Sequence, residues 1–361
     1  MQKKNIFKIT LTIIISLAII VFTYFDSFLY KESIMQITKV SESFKNEEVN
    51  NIYKEKYYTQ EITGIILNGK DKGKKVYAIN ERSTSNVYDE NYKKGDKVFV
   101  SVLNNKNSTV SIENYKRDVY VVGIIIIFVD SLIAIGSFQG LLAIIALIVN
   151  MIVYAFAIHL YVSKKINLMF LSCICTVLFS IISMLLAIGL NKKSLSTIIS
   201  TVVSTFITVL IAYLVMSLTH EKGVRIEQID FLLTPYKEVF ISELLLGGLG
   251  AIMDIAITIS STVNELVEKN KNISNKTLFL SCKEIGKDTM GTMLNVLLFT
   301  YICASMPKFI LYYRNNFGAI YIMKNYLSID IVRSLVAGIG IVLSIPITSF
   351  IAIKILKGGR K

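Results

Sequence analysis

Residues 247–307 read GGLGAIMDIAITISSTVNELVEKNKNISNKTLFLSCKEIGKDTMGTMLNVLLFTYICASMP, and this stretch decides the fold. Two apolar runs flank a basic polar segment, Lys269 to Lys287, and the first run carries Asp254 in its interior. A carboxyl is costly in lipid, so its position predicts a protein-facing or functional role. On a helix turning 100° per residue, Gly247, Gly250, Asp254, Thr258, Ser261 and Glu265 fall on one stripe. Its glycines would let a second backbone approach, and its polar groups would need partners there. Asp288, Gly291, Thr292 and Asn295 share a face at the start of the second run. The two runs are expected to be neighbours or nearly so, since a single basic loop joins them. Candidate proton or ion relay residues are therefore Asp254, Glu265, Thr258, Ser261, Asn295 and Thr292. Gly247, Gly250 and Gly291 are candidate packing positions. Helix-to-helix glue is the competing reading for the serine, threonine and asparagine residues.

Outward from this stretch, the 361 residues have a mean hydropathy of +0.56, and only 18% are charged. Soluble domains carry roughly 25%. Several apolar runs are longer than a bilayer crossing needs, which predicts an α-helical polytopic membrane protein with the lipid bilayer as its surroundings. An anchor over residues 1–29 comes first, uncleaved and with its N-terminus inside. Seven further helices are expected at about 119–136, 140–162, 166–190, 195–219, 237–263, 289–313 and 330–355, about eight in all. The segment Lys276 to Asp288 reads as a helix lying on the inner membrane surface. Asp130 and Glu243 are weaker candidates for a functional carboxyl.

Residues 30–117 are polar. Lys31 to Lys56 has apolar residues at loose helical spacing and reads as a stalk. From Thr59 the period becomes two: Ile62, Gly64 and Ile66 alternate with Thr63, Ile65 and Leu67, and Val98 and Val100 with Phe99 and Ser101. Turn signals stand at Asn68-Gly69, Gly73 and Gly95-Asp96. A small β domain follows, a five-stranded barrel of OB or SH3 type between the first two helices. Residues 118–361 form the membrane domain.

The net charge of +13 accompanies no zinc-finger, basic-zipper or RNA-binding signature, so nucleic acid is not an expected partner. Lysine and arginine are in excess on the side that holds the N-terminus, which places both termini in the cytoplasm and the β domain outside the cell membrane. The cysteines, Cys173, Cys175, Cys282 and Cys303, lie outside the β domain and imply no disulfide framework. No metal and no cofactor is expected, since there is neither an HExxH motif nor a Cys/His cluster.

GAIMDIAITISSTVNEL followed by KEIGKDTMGTMLNVLLFTYI resembles the YibE/F-like family of bacterial integral membrane proteins. GKDKGKKV and YDENYKKGDKVFVSV in the β domain, NKKS at 191–194 and IPIT at 345–348 resemble it too, so the likeness covers about residues 55–355. The turn at Ser137–Gly140 lacks lysines often found there, and Asn264 replaces another polar residue. The resemblance implies a membrane location and assigns no activity. The layout of anchor, outside domain, G-x-x-x-D helix, inner segment and return helix is similar to resistance-nodulation-division transporters and SecD/SecF accessory proteins. That likeness implies a proton-carrying role for Asp254.

The expected function is a transporter or export accessory protein with an acidic relay at Asp254 and an unknown cargo. The alternative is a non-catalytic scaffold or sensor whose β domain binds a protein partner. An intramembrane aspartyl protease would need two carboxylates sharing a proton. Its Gly-x-Gly-Asp order is absent around Asp254, so no enzyme activity is expected.

Overall fold

The alternating segments of the first third form strands, and the apolar runs of the rest form helices. The computed structural model describes residues 2–49, 54–86, 89–104, 108–220 and 236–358. The chain divides into two compact units, residues 1–140 and 141–361.

Unit 1 begins with α1 (Gln2–Phe25) and a single tight turn, Asp26–Leu29. Five strands follow: β1 (Ser33–Val49), β2 (Lys54–Ile66), β3 (Lys75–Ser83), β4 (Lys97–Asn104) and β5 (Thr109–Tyr115). They close a barrel in the order β1-β2-β3-β5-β4, antiparallel except for the β3–β5 pair. Period-two alternation turns Met35, Ile37, Ile62, Ile66, Val76, Ala78, Val98, Val100 and Val110 inward, and these make the core. The expected stalk is a strand instead. Ile34, Met35 and Ile37 are buried where β1 pairs with both β2 and β4, and the rest of β1 runs out as an exposed arm paired with β2. Strand pairing overrides the loose helical spacing of that segment.

Two local features set the barrel. Asn68, one of the predicted turn residues, accepts from the Ile34 amide at 2.7 Å and donates to the Tyr30 and Glu32 carbonyls at 3.0 and 2.8 Å. Gly64 sits where β1 shifts register between Ile37 and Lys39. A Cβ there would press on the Met35 side chain and lie 2.7 Å from the Gln36 carbonyl oxygen.

A buried charge cluster joins the barrel to the helices of its own unit. Lys116, its side chain only 1% exposed, pairs with Asp26 at 2.7 Å and Asp118 at 2.8 Å, and the Tyr30 hydroxyl donates to Asp118 at 2.5 Å. Burial pushes the lysine pKa down, but the hydrogen bonds and charges of Asp118 and Asp26 outweigh it and hold the ammonium above the usual lysine range. Further along, the Ser16 hydroxyl donates to Asp130 at 2.9 Å and so ties α1 to α2 (Asp118–Lys164). Asp130 thus has a partner on its neighbouring helix. α2 is interrupted at Ser137 (φ 49°, ψ −122°), inside the predicted Ser137–Gly140 turn. At this kink the Leu132 carbonyl lies against Gly140, where a side chain would clash.

Unit 2 holds the second arm of α2 and then α3 (Leu168–Ile188), α4 (Lys192–Leu218), α5 (Tyr236–Gly247), α6 (Leu249–Lys269), α7 (Asn275–Arg314), the short α8 (Ala319–Ile322) and α9 (Ser328–Ala352). Asn167, Asn191 and Ser274 cap α3, α4 and α7 by accepting from the backbone amides of Phe170, Ser194 and Thr277. One core gathers Ile255, Ile259, Val263, Leu278, Ile341 and Ala352 from α6, α7 and α9. A second gathers Val209, Phe240, Leu245, Ile329 and Val336 from α4, α5 and α9.

Among the described residues, seven helical stretches are long and apolar enough to cross a membrane. The eight expected spans fit these seven because two of them, 119–136 and 140–162, are the arms of the kinked α2. The expected surface helix at Lys276–Asp288 is not separate. It is the first part of α7, a continuous helix of 40 residues, about 60 Å long. Leu278, Cys282 and Gly286 are buried, with Gly286 against Ile345, so this polar segment has one face fixed on α9.

Gly64→Ala should destabilise the barrel by about 1–3 kcal/mol, as overpacking does. Alanine at Gly69, where a side chain would meet open space but at φ 73°, tests backbone strain alone. Denaturant titration of the two variants, followed by far-ultraviolet circular dichroism of residues 30–117, separates these causes.

Candidate functional site

α9 places Asp330 and Arg333 three residues apart, so both project from one face near its start. The Arg333 guanidinium donates to Asp330 at 2.8 Å and, through its other terminal nitrogen, to Glu243 of α5. The second oxygen of Asp330 accepts from the Ser305 hydroxyl of α7. Arg333 also lies over the Phe240 ring at 5.8 Å. Three helices therefore meet at one cation held by two carboxylates. The side chains of Arg333 and Asp330 are each 17% exposed, and that of Glu243 is 39% exposed.

Glu243 and Arg333 open onto a cavity of about 630 Å³. Its walls are mainly apolar, with Tyr154 and Tyr301 among them. Three buried polar atoms on this cavity have no hydrogen-bond partner among the described residues: Asn150 Oδ1, Ser242 Oγ and Arg333 Nε. Buried polar groups in folded proteins are nearly always satisfied by protein or water, so these three are placed to meet water or a ligand. A smaller cavity of about 330 Å³ is lined by Asp330 and Ser305, and Tyr301 borders both. The charged group thus stands between two cavities of unit 2.

The residues expected from the sequence lie elsewhere. Asp254, Gly250 and Glu265 are exposed on α6, with Thr258 and Ser261 partly so. The Thr258 hydroxyl donates to the Asp254 backbone carbonyl at 2.8 Å, not to its carboxylate. On α7, Gly291, Thr292 and Asn295 are exposed. The expectation that both polar faces point into the protein does not hold within one chain. α6 instead buries Leu249, Ile252, Ile255, Ile259 and Val263, the opposite side of the helix. Gly247 does pack, with a Cβ there 2.5 Å from Tyr301 Oη, but Gly250 and Gly291 face open space. Close approach falls to Gly248 on Ala337, Gly286 on Ile345, Gly338 on Leu294, and Gly340 on Ile252 and Thr208. The stripe from Gly250 to Glu265 does share one side of α6, but the apolar side opposite it is the one that packs on α4 and α9.

Arg333 was missed because a basic residue near a helix end reads as a topology signal. The i,i+3 pair Asp330–Arg333 beside an apolar run was the available clue, and Glu243 was the carboxyl left to answer it.

Two family models match the chain: YibE/F-like protein over residues 124–358, and YibE/F family N-terminal domain over residues 28–115. No curated protein and no solved structure matches.

Arg333→Leu strands two carboxylates among apolar helices and should lower stability by about 3 kcal/mol or more. Ser305→Ala removes one hydrogen bond and should cost less than about 1.5 kcal/mol. Unfolding of the purified full chain in detergent, compared across the two variants, checks the order.

Proposed function

The chain belongs to the YibE/F-like family, and from its polar centre we propose that it is a multi-pass membrane protein of transport or export-accessory type, not an enzyme. The observation that carries this reading is the Glu243–Arg333–Asp330 group, set among long apolar helices and opening on a cavity with unsatisfied polar atoms. Ionisable groups inside such helices are costly and mark ion or substrate pathways. Protonation of Glu243 would release the arm of Arg333 that crosses to α5, so a proton and the seating of α5 against α9 would be coupled. Lys308 of α7 is a second cation within electrostatic reach of Glu243.

Asp254 enters the same proposal as a relay carboxyl. Being exposed in a single chain, it needs water or a further protein surface against it. Thr258, Ser261, Glu265, Thr292 and Asn295 are proposed to line the same open side. The proposed setting is the cell membrane, with both termini in the cytoplasm and the barrel outside.

We also propose that the barrel is of OB type, since closed five-stranded barrels with a Greek-key order belong to that group. One observation favours the scaffold or sensor reading. On the outer face of β2 and β3, Ile65, Tyr77 and Ile79 are exposed, Ile79 by 75%. That is the face on which OB barrels bind ligands.

Proton flux into vesicles loaded with a pH-sensitive dye separates the readings. Wild type should acidify the lumen under an imposed gradient, and Glu243→Gln should slow this at least tenfold. Asp254→Asn, which keeps shape and removes titration, should also be slow at normal abundance. Flux no greater than in protein-free vesicles would favour the scaffold. Full activity of Asp254→Asn would remove Asp254 from the pathway and leave the Glu243 centre.

Topology is checked separately with a membrane-impermeant thiol label. Lys72→Cys in the barrel should react in intact cells and Asn272→Cys should not, with the unmodified chain as blank. The reverse pattern would invert the proposed orientation.

A further inference from the structure

Where α6 gives way to α7 and α9 ends, unit 2 has a cavity of about 1090 Å³ lined by Lys271, Lys354 and Lys357 together with Asn275, Phe279 and Phe350. Among the described residues, no acidic side chain lines it. The three cations differ in how they are held. Lys357 is spoken for: its ammonium donates to the Ile273 carbonyl and to Asn275 Oδ1, both at 2.6 Å, and so locks the end of α9 to the α6–α7 connection. Lys271 and Lys354 are exposed and turned to the cavity. α7 begins here too, and the start of a 40-residue helix adds the positive end of its dipole to the same place. A concave surface with this much positive charge and no internal anion calls for an anionic ligand.

The apolar part of the lining narrows the ligand. Phe350 is 68% exposed and Phe279 38%, and both stand beside the lysines. A soluble anion would leave those rings in water. An amphiphile would cover them with its chains and meet the ammonium groups with its head. The position suits such a ligand, because Lys354 and Lys357 follow the long apolar run of α9, where a helix leaves hydrocarbon for the headgroup layer and lysines extend toward it. Basic pockets between helices at that level are suited to acidic headgroups.

We propose that this cavity binds an acidic glycerophospholipid, its phosphate held by Lys271 and Lys354 against the start of α7 and its acyl chains lying along Phe279 and Phe350. Lys357 shapes the wall and does not release its backbone contact. The site rests on the reading of the chain as a membrane protein, but not on transport. It is distinct from the Glu243–Arg333 centre, with which it shares no lining residue.

The test uses the full chain purified in neutral detergent and native mass spectrometry with phosphatidylglycerol or phosphatidylcholine at equal concentration. Phosphatidylglycerol should be retained at least tenfold better. The double variant Lys271→Gln/Lys354→Gln should lose that preference while melting at the wild-type temperature, and Lys324→Gln, an exposed lysine on another element, should keep it. Glycerol 3-phosphate added at the lipid concentration should not displace the lipid. Equal retention of the two lipids, an unchanged double variant, or full displacement by glycerol 3-phosphate would each overturn the proposal. Extraction of the chain from membranes by alkaline carbonate would instead refute the membrane reading, so the two failures are distinguishable.

Discussion

A guanidinium among apolar helices has to be paired, and the pairing of Arg333 decides how α5, α7 and α9 meet. Glu243 comes from α5, Asp330 from α9 itself and Ser305 from α7. Neither Arg333 nor its two carboxylates is tolerable in that place alone, because removing one partner of a buried ion pair leaves an uncompensated charge that costs several kcal/mol. The apolar residues around them, Phe240, Leu245, Ile329 and Val336, pack without direction. The ion group supplies the direction: it sets which residue of α5 faces which residue of α9. Two cavities adjoin it, one lined by Glu243 and Arg333 and the other by Asp330 and Ser305.

Unit 1 obeys the same rule with opposite consequences. Lys116 is more deeply buried than Arg333, yet two carboxylates and the Tyr30 ring surround it, and Tyr30 completes Asp118. Its ammonium also donates to the Thr23 carbonyl at 3.4 Å, so each of its three hydrogens has an acceptor. A saturated charge cluster of this kind fixes the barrel on α1 and the start of α2. The difference between a structural ion cluster and a candidate functional one lies in what surrounds the charges, and not in their number.

Much of this was legible in the amino-acid order. Alternation in Ile62–Ile66 and Val98–Val100 reads as strand, because each strand has one wet and one dry face. The apolar runs read as helices, and the Ser137–Gly140 turn appears as a non-helical Ser137. Other features needed three dimensions. β1 looks like a stalk because its outer half pairs only with β2 and buries little, leaving no period to read. The start of α7 looks like a surface helix because its polar residues outnumber the three, Leu278, Cys282 and Gly286, that meet α9. Asp254 stands out as a carboxyl in an apolar run, Glu243 less so, and Arg333 reads only as a topology signal. Pattern along one helix cannot show which charges from distant helices will meet, nor which side of α6 the neighbouring helices will cover.

The interior of unit 2 gives the charged centre unusual leverage. α4 buries Ser194, Ser196, Thr197, Ser200, Thr201, Ser204, Thr205 and Thr208. Such a face looks like a network of hydrogen bonds between helices, but Thr197, Ser200 and Thr208 donate within the helix, to Lys193, Ser196 and Ser204, and the hydroxyls of Ser194, Thr201, Ser204 and Thr205 have no partner among the described residues. Between α4 and α6 the described contact is Ser196 to Ser260 at a long 3.5 Å. The hydroxyls act mainly by being small. They let α9 approach until Gly340 lies on Thr208, with room for no side chain. Hydrogen bonds between helices in a membrane average only about 0.6 kcal/mol in any case. Close packing of small residues resists separation of two helices but opposes sliding less than a set of interlocked large side chains would. The directional force between α5, α7 and α9 is therefore concentrated at Arg333. A change in the charge of Glu243, the member of that group most open to its cavity, meets few other polar contacts that would hold the helices in their first arrangement.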